Sequence, residues 1–342
     1  MKIKLSLLAL FALNFLACNK DFKVGADYKD ITVIYALLTN SDPVQYVKIT
    51  KGFFDEKQDN LLLAQNPDSF FFFFIEVKLE ELNNGNVVKT TLLPRVDLNL
   101  EGFPKDTGIF AQSPNYAYKI ADSLNASKTY RIRVKNLTSG KEITGETVII
   151  DSKKLFFRTP FINTDQLRFD LAFDNTNFVF SAPTTGTFFD ISLRFWYQEI
   201  NTQTLDTIYT HKDLPLVQNI LSNGTSEIPA IMSNYDFYRA LNSELGVAPS
   251  YINRRVDTPD LILSAGGQVL KTYIDANNAQ GGITYDQIKP NFTNLIGEDA
   301  LGIVSTRGKT TMYAIPFSSK TFDSIIGGSF TKNLNIVGKS TE

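Results

Sequence analysis

The chain has 342 residues, and its 34 Lys and Arg against 36 Asp and Glu give a formal net charge of −2 with no long run of either sign. Duplex nucleic acid needs a basic face, so no nucleic-acid partner is expected. The single histidine, His211, and the single cysteine, Cys18, leave almost no material for a zinc site, and no cofactor is expected.

The N-terminus reads as an address. Met1-Lys2-Ile3-Lys4 precedes an apolar run over Leu5–Ala17. That run is shorter than the roughly 20 residues a membrane-spanning helix needs, so 1–17 is a signal peptide. Phe15-Leu16-Ala17-Cys18 resembles a bacterial lipobox, departing from it at Phe15, where leucine is usual. The resemblance implies cleavage before Cys18 and acylation of its thiol, with the membrane as partner through the lipid. Several acyl chains, at about 0.8 kcal/mol per buried methylene, anchor a chain essentially permanently. Residues 18–30 form the lipidated tether. Asn19-Lys20-Asp21 either resembles the Bacteroidetes signal for surface export or is a generic solvated spacer.

From there Phe, Tyr, Val, Ile and Thr dominate, with 27 Phe and 14 Tyr in all, and the composition leans β. Ile31–Leu38 and Gln45–Thr50 are strands separated by an Asn40–Pro43 turn. Phe70–Phe74 continues into the alternating Ile75–Leu79, and is read as a core strand in preference to an exposed aromatic ledge. An Asn83–Asn86 hairpin turn leads into Val87–Leu93. Strands at Tyr116–Ile120, Thr129–Val134 and Glu142–Ile150 complete a sandwich rhythm. The expectation is an immunoglobulin-like or fibronectin-like β-sandwich over 31–150.

Asp151-Ser152-Lys153-Lys154 marks a boundary before a second β-rich domain, 155–325. Its expected strands are Leu167–Phe173, Phe178–Phe180, Phe189–Tyr197, Asp260–Ala265, Val269–Ile274, Leu301–Ser305 and Thr311–Ile315. One helix, near 234–245, is expected from Ser233 as cap, Asp236 reaching back to it, the Tyr238, Leu241, Leu245 face and the Gly246 stop. Residues 326–342 read as a polar tail.

Motifs that carry chemistry are sparse. Gly302–Thr310 has five residues between its glycines where a phosphate loop has four, and is read as a hairpin turning at Arg307-Gly308. Ser329-Phe330-Thr331-Lys332 matches Ser-x-x-Lys at chance frequency. Asp170, Asp174, Asn175 and Asn177 lack the spacing of a calcium loop, Glu76, Glu80 and Glu81 read as strand-surface charges, and His211 reads as part of a polar turn. No catalytic or metal-binding residue is assigned. Trp196, Tyr197 and Tyr209 are the candidate ligand-binding aromatics, with strand packing as the competing reading.

The segment Asn294–Ser305, with Ile34–Leu38, Tyr46–Phe53 and Phe237-Tyr238, resembles a family of uncharacterised Bacteroidetes outer-membrane lipoproteins. The resemblance implies an outer-membrane location and an outer-membrane transport receptor as partner. The expected function is non-catalytic binding of a glycan, a peptide or that receptor. The alternative is an envelope scaffold without a small-molecule ligand.

Overall fold

The computed structural model describes residues 31–52, 60–159, 166–170, 172–278 and 292–339, so the signal segment, Cys18 and the tether lie outside the described residues. The chain is mainly β. Its first half contains β1 (Ile31–Leu38), β2 (Val44–Gly52), α1 (Asn60–Gln65), α2 (Pro67–Phe70), β3 (Ile75–Asn83), β4 (Asn86–Leu92), β5 (Arg95–Asp97), β6 (Tyr116–Ala121), β7 (Thr129–Asn136) and β8 (Glu142–Val148). These strands pair in two groups, β1-β2-β6-β5 and β4-β3-β7-β8. Alternation explains the grouping. Ile34, Val47 and Ile120 from the first and Val77, Leu79, Ile132, Val134 and Ile143 from the second are buried in one core, each contributing about 1.5–3 kcal/mol. The β3–β4 hairpin turns through Asn84 (φ 49°) and Gly85 (φ 81°), both left-handed as a two-residue type I′ turn requires. At the start of β7 the Tyr130 hydroxyl accepts the Asn125 N–H at 2.8 Å and donates to Glu81 at 3.2 Å.

The second half contains β9 (Phe156–Thr159), β10 (Asn175–Ser181), β11 (Phe188–Asn201), β12 (Thr207–Leu221), β13 (Glu227–Ser233), α3 (Asn234–Leu245), β14 (Ile252–Val256), β15 (Asp260–Gly266), α4 (Gln268–Asn278), β16 (Ala300–Met312), α5 (Ser319–Gly327) and β17 (Ile336–Lys339). The strand order β17-β14-β11-β15-β16-β1-β2-β6-β5, with β12 on β11, makes one sheet that crosses the Asp151–Lys154 linker. Its bridge is β16, parallel to β1 and antiparallel to β15. A second core takes in Ile150 just before the linker and Leu155 just after it. Phe189, Ile191, Leu193 and Phe195 of β11 meet Phe178 and Phe180 of β10 there, together with Phe237, Tyr238 and Leu241 of α3.

Several expectations are corrected. The five-phenylalanine run is no strand. Asn66 caps α2 by accepting Asp68 N–H at 3.0 Å, with Pro67 at its first turn. Phe70, Phe71 and Phe72 are buried, whereas Phe73 and Phe74 are 54% and 68% exposed. The segment expected as a strand at Leu167–Phe173 makes, among its described residues, a single bridge, Leu167 to Phe317. Side chains replace its ladder: Phe169 N–H donates to Thr321 Oγ1 at 2.7 Å, and Tyr238 Oη donates to Phe169 O at 2.6 Å. Val269–Ile274 lies in α4, because a short apolar run fits either period and Gly266-Gly267 closes the preceding strand.

Arg307-Gly308 is no turn, since β16 runs straight through it. A Cβ at Gly308 would lie 2.6 Å from Ile150 and 2.9 Å from Leu155, so this glycine admits the linker. The tail expected at 326–342 instead holds the end of α5 and β17, with Leu334 and Ile336 buried. His211 lies inside β12. Glu80 is no surface charge: it is 6% exposed and bonds Arg133 at 2.7 Å and Arg131 at 3.2 Å. Burial pushes its carboxyl pKa up, but the hydrogen bonds and charges of Arg133 and Arg131 outweigh that and hold it below the usual value. In α3, Ser233 precedes the helix without a side-chain cap bond, and Asp236 pairs with Arg239 at 2.9 Å.

The segment that carried the family resemblance is a clasp between the two groups of the first half. Asn294 Nδ2 donates to Val304 O at 2.8 Å and to Glu146 O at 3.1 Å, and its Oδ1 accepts Val304 N–H at 3.0 Å. Ile296 and Thr144 exchange backbone bonds at 2.7 and 2.9 Å. A Cβ at Gly145 would lie 2.7 Å from both Leu295 and Val304, so glycine permits the close approach.

Candidate functional site

The β11–β12 hairpin builds the most distinctive surface. Its turn is set locally: Asn201 Oδ1 accepts the N–H groups of Gln203 (2.9 Å) and Thr204 (3.2 Å), and Leu205 takes φ 64°. That turn fixes a register in which Trp196 faces His211, Gln198 faces Tyr209 and Arg194 faces Asp213. The odd-numbered residues of β11 from Phe189 to Tyr197 fill the core, so Arg194 and Trp196 project from the opposite face.

On that face the Trp196 and Tyr209 rings lie parallel, 5° apart in plane angle and 5.3 Å between centroids. His211 approaches the indole at 4.4 Å, and the Arg194 guanidinium stands 5.9 Å from the indole ring. Hydrogen bonds hold the aromatics in place. Trp196 Nε1 donates to Asp260 Oδ2 at 2.9 Å, and Asp260 Oδ1 accepts Ala314 N–H at 2.9 Å. Tyr209 Oη donates to Asp257 at 3.1 Å. Arg194 grips Asp213 through two bonds of 2.8 Å, a bidentate pair of planar groups. That bond holds Asp213 below the usual carboxylate range and keeps Arg194 ionised. Partial burial, then the bond to Asp257, push the Tyr209 phenol up.

The structure therefore brings together two of the three aromatics singled out in the sequence. Tyr209 is 54% exposed and Trp196 is half-buried beside it. Tyr197 is a correction: it is 3% exposed, belongs to the second core and lies on the other face of β11. Sequence reasoning missed His211, Arg194, Asp213, Asp257 and Asp260. The spacing Tyr209, His211, Asp213 opposite Arg194, Trp196 was a period-two signal once a turn at Asn201–Asp206 was assumed.

The strip offers ring faces bordered by carboxylates and fixed before any ligand arrives. Among the described residues no group of three or more Asp, Glu, His or Cys side chains could hold a metal ion, and no helix among them is long and apolar enough to cross a membrane. Asp170, from the set weighed for calcium, accepts Thr321 Oγ1 at 2.9 Å and also Ser318 Oγ at the start of α5. Neither known protein families nor characterised proteins yield a match to this chain.

Proposed function

We propose that this is a non-catalytic, lipid-anchored envelope protein that binds a glycan on the Tyr209–Trp196–His211 strip. The observation that carries the reading is the rigid, partly exposed stacking of Trp196 on Tyr209 at 5.3 Å, with carboxylates at its border. The C–H faces of a sugar ring are apolar and suit the electron-rich face of an aromatic ring, while its hydroxyls suit carboxylate acceptors. Because the rings are already held, little side-chain freedom is lost on binding. Binding is favoured over catalysis because the carboxylates of Asp213, Asp260 and Asp257 are each held by structural bonds to both oxygens, which fixes them in place and leaves only a further lone pair on each oxygen to accept a sugar hydroxyl.

The first half supports the finer reading of an immunoglobulin-like or fibronectin-like sandwich: two strand groups across one core, and a tyrosine at the start of β7 bonded back to the chain upstream. It would set the strip at a distance from the membrane. A transport receptor in the outer membrane is the proposed partner that takes up the bound cargo. The scaffold alternative draws on the strand shared by both halves, which couples them as a spacer would need.

Trp196 is the only tryptophan, so intrinsic emission reports this one place. Titration with a panel of oligosaccharides is expected to give a saturable change in emission for at least one of them. Tyr209→Ala is expected to weaken that binding about tenfold. If the panel leaves both the emission and the melting temperature of the wild type unchanged, the glycan reading fails and the scaffold reading leads. The anchor is tested separately: Cys18→Ala is expected to abolish labelling by a palmitate analogue and to release the chain from the membrane fraction. Retained labelling would refute acylation at that residue.

A further inference from the structure

A second site lies away from the strip, where the two halves meet. A cleft of about 810 Å3 opens between the loop before β7, the Asp151–Lys154 linker and the turn between β10 and β11. That volume is within the range of small-molecule sites. Both cores contribute to it, through Leu124 and Ile149 on one side and Ala182 on the other. Its other flank is tied shut: Asn40 Oδ1 accepts Ser152 N–H at 3.0 Å, Ser41 and Ser152 hydroxyls meet at 2.6 Å, and Ile150 N–H donates to Thr306 Oγ1 at 3.0 Å. The walls are held from both halves, so the cleft exists before any ligand enters.

Its polar lining is under-used. Asn40 and Asn125 spend their side-chain oxygens on Ser152 and Ser127, and their amide N–H groups have no partner among the described residues. Lys153 has no acidic partner among the described residues, and Lys154 reaches Asp151 only at 4.0 Å. Two ammonium groups against one carboxylate leave the lining with a net charge of +1, from Lys153, Lys154 and Asp151. Thr185 Oγ1 is buried with no hydrogen-bond partner among the described residues, a state that native structures rarely leave unrelieved. Further hydroxyls from both halves complete a surface rich in groups that donate and accept.

We infer that this cleft binds a small polyhydroxylated anion, the chemistry of a uronic acid residue. The lysines take its carboxylate, the asparagine amides and Thr185 take its hydroxyls, and the apolar floor at Leu124 and Ala182 takes a C–H face. The inference goes beyond the proposed function and stands on different residues, so either can fail alone.

The test is calorimetric titration of the folded chain with D-glucuronate, with D-glucose and acetate as controls. Glucuronate is expected to bind saturably and at least about tenfold more tightly than either control. Lys153→Gln and Thr185→Val are each expected to weaken it about tenfold while leaving the circular dichroism spectrum unchanged. Tyr209→Ala is expected to bind glucuronate as the wild type does, with Trp196 emission unmoved. No saturation up to about 10 mM glucuronate, a concentration at which only affinities too weak for a built site escape detection, would overturn the proposal. So would equal binding of glucose, or a response that tracks Trp196 and disappears with Tyr209.

Discussion

Gly302→Ala is expected to destabilise the chain by about 3–5 kcal/mol, more than any other single added methyl group in β16. Gly302 has φ 98° and faces Ile34 across the parallel β1–β16 pair. A Cβ there would lie 2.1 Å from Ile34 O and within 3.0 Å of two more of its backbone atoms. Neither partner can yield by a rotamer change, because both are main chain in a ladder. Two effects combine: a strained backbone region costs a substituted residue about 1–3 kcal/mol, and forcing packed groups apart costs about 1–3 kcal/mol more. Gly85→Ala is the control. Its φ of 81° is equally foreign to alanine, yet nothing lies within 4 Å of the added carbon, so it should cost only about 1–2 kcal/mol. Denaturant unfolding of both variants decides the matter. Equal losses would mean that the contact with Ile34 is irrelevant and that the β1–β16 junction tolerates displacement. Because, among the described residues, β16 is the strand that joins the two cores through a hydrogen-bonded ladder, the Gly302 variant is also expected to lose cooperativity, with the two halves unfolding in separate steps.

That junction could not be read from the chain, and the reason is physical. Local pattern reaches only as far as the residues that make it. Val77, Leu79, Ile132 and Val134 alternate strictly, and the strands they mark are present. The α3 helix was equally legible, because Tyr238, Leu241 and Leu245 fall on one face and Gly246 stops it at φ 63°. β12 was not, because an edge strand exposed over most of its length has little apolar alternation to display; only Leu214 and Leu216 are buried. Leu301–Ser305 and Thr311–Ile315 read as two strands because Arg307-Gly308 has the composition of a turn, whereas Gly308 serves close approach to Ile150 and Leu155. In the candidate site, Trp196 and Tyr209 stood out as residue types. Their partnership depended on a register set by the Asn201 turn, and Asp260 reaches the indole from another strand. Tyr197 differs from Trp196 by one position, which on a strand is the difference between core and surface.

Arg254→Met is expected to cost about 3 kcal/mol, the lower end of the penalty for removing one partner from a buried ion pair, because Arg254 is buried while Glu199 keeps partial contact with solvent. Arg254 is 5% exposed in β14 and gathers four acceptors, from β11, the end of α3 and the segment before β17. Its Nε donates to Glu199 at 2.9 Å, and its terminal nitrogens reach Gly246 O at 2.9 Å, Leu245 O at 3.1 Å and Leu334 O at 3.4 Å. Two of those carbonyls end α3, so the guanidinium caps the helix where its carbonyls lack amide partners and carry negative partial charge. Methionine has comparable length and no donor, leaving Glu199 and the carbonyls unsatisfied. Arg254→Lys should recover little, since one ammonium cannot span the fork. Glu199→Gln in the Met background should restore part of the loss, because it removes the orphaned carboxylate; a double variant no more stable than Arg254→Met alone would assign the cost to the helix cap instead. A loss below about 1 kcal/mol would place the pair with ordinary surface ion pairs. The consequence for binding follows from the strand. Asp257, which holds Tyr209, lies three residues beyond Arg254 and gives its N–H to Trp196 O at 2.9 Å. Loosening β14 should therefore broaden the Trp196 emission response to glycans before the whole fold is lost, and an unchanged titration in a destabilised Arg254→Met protein would separate the strip from the frame beneath it.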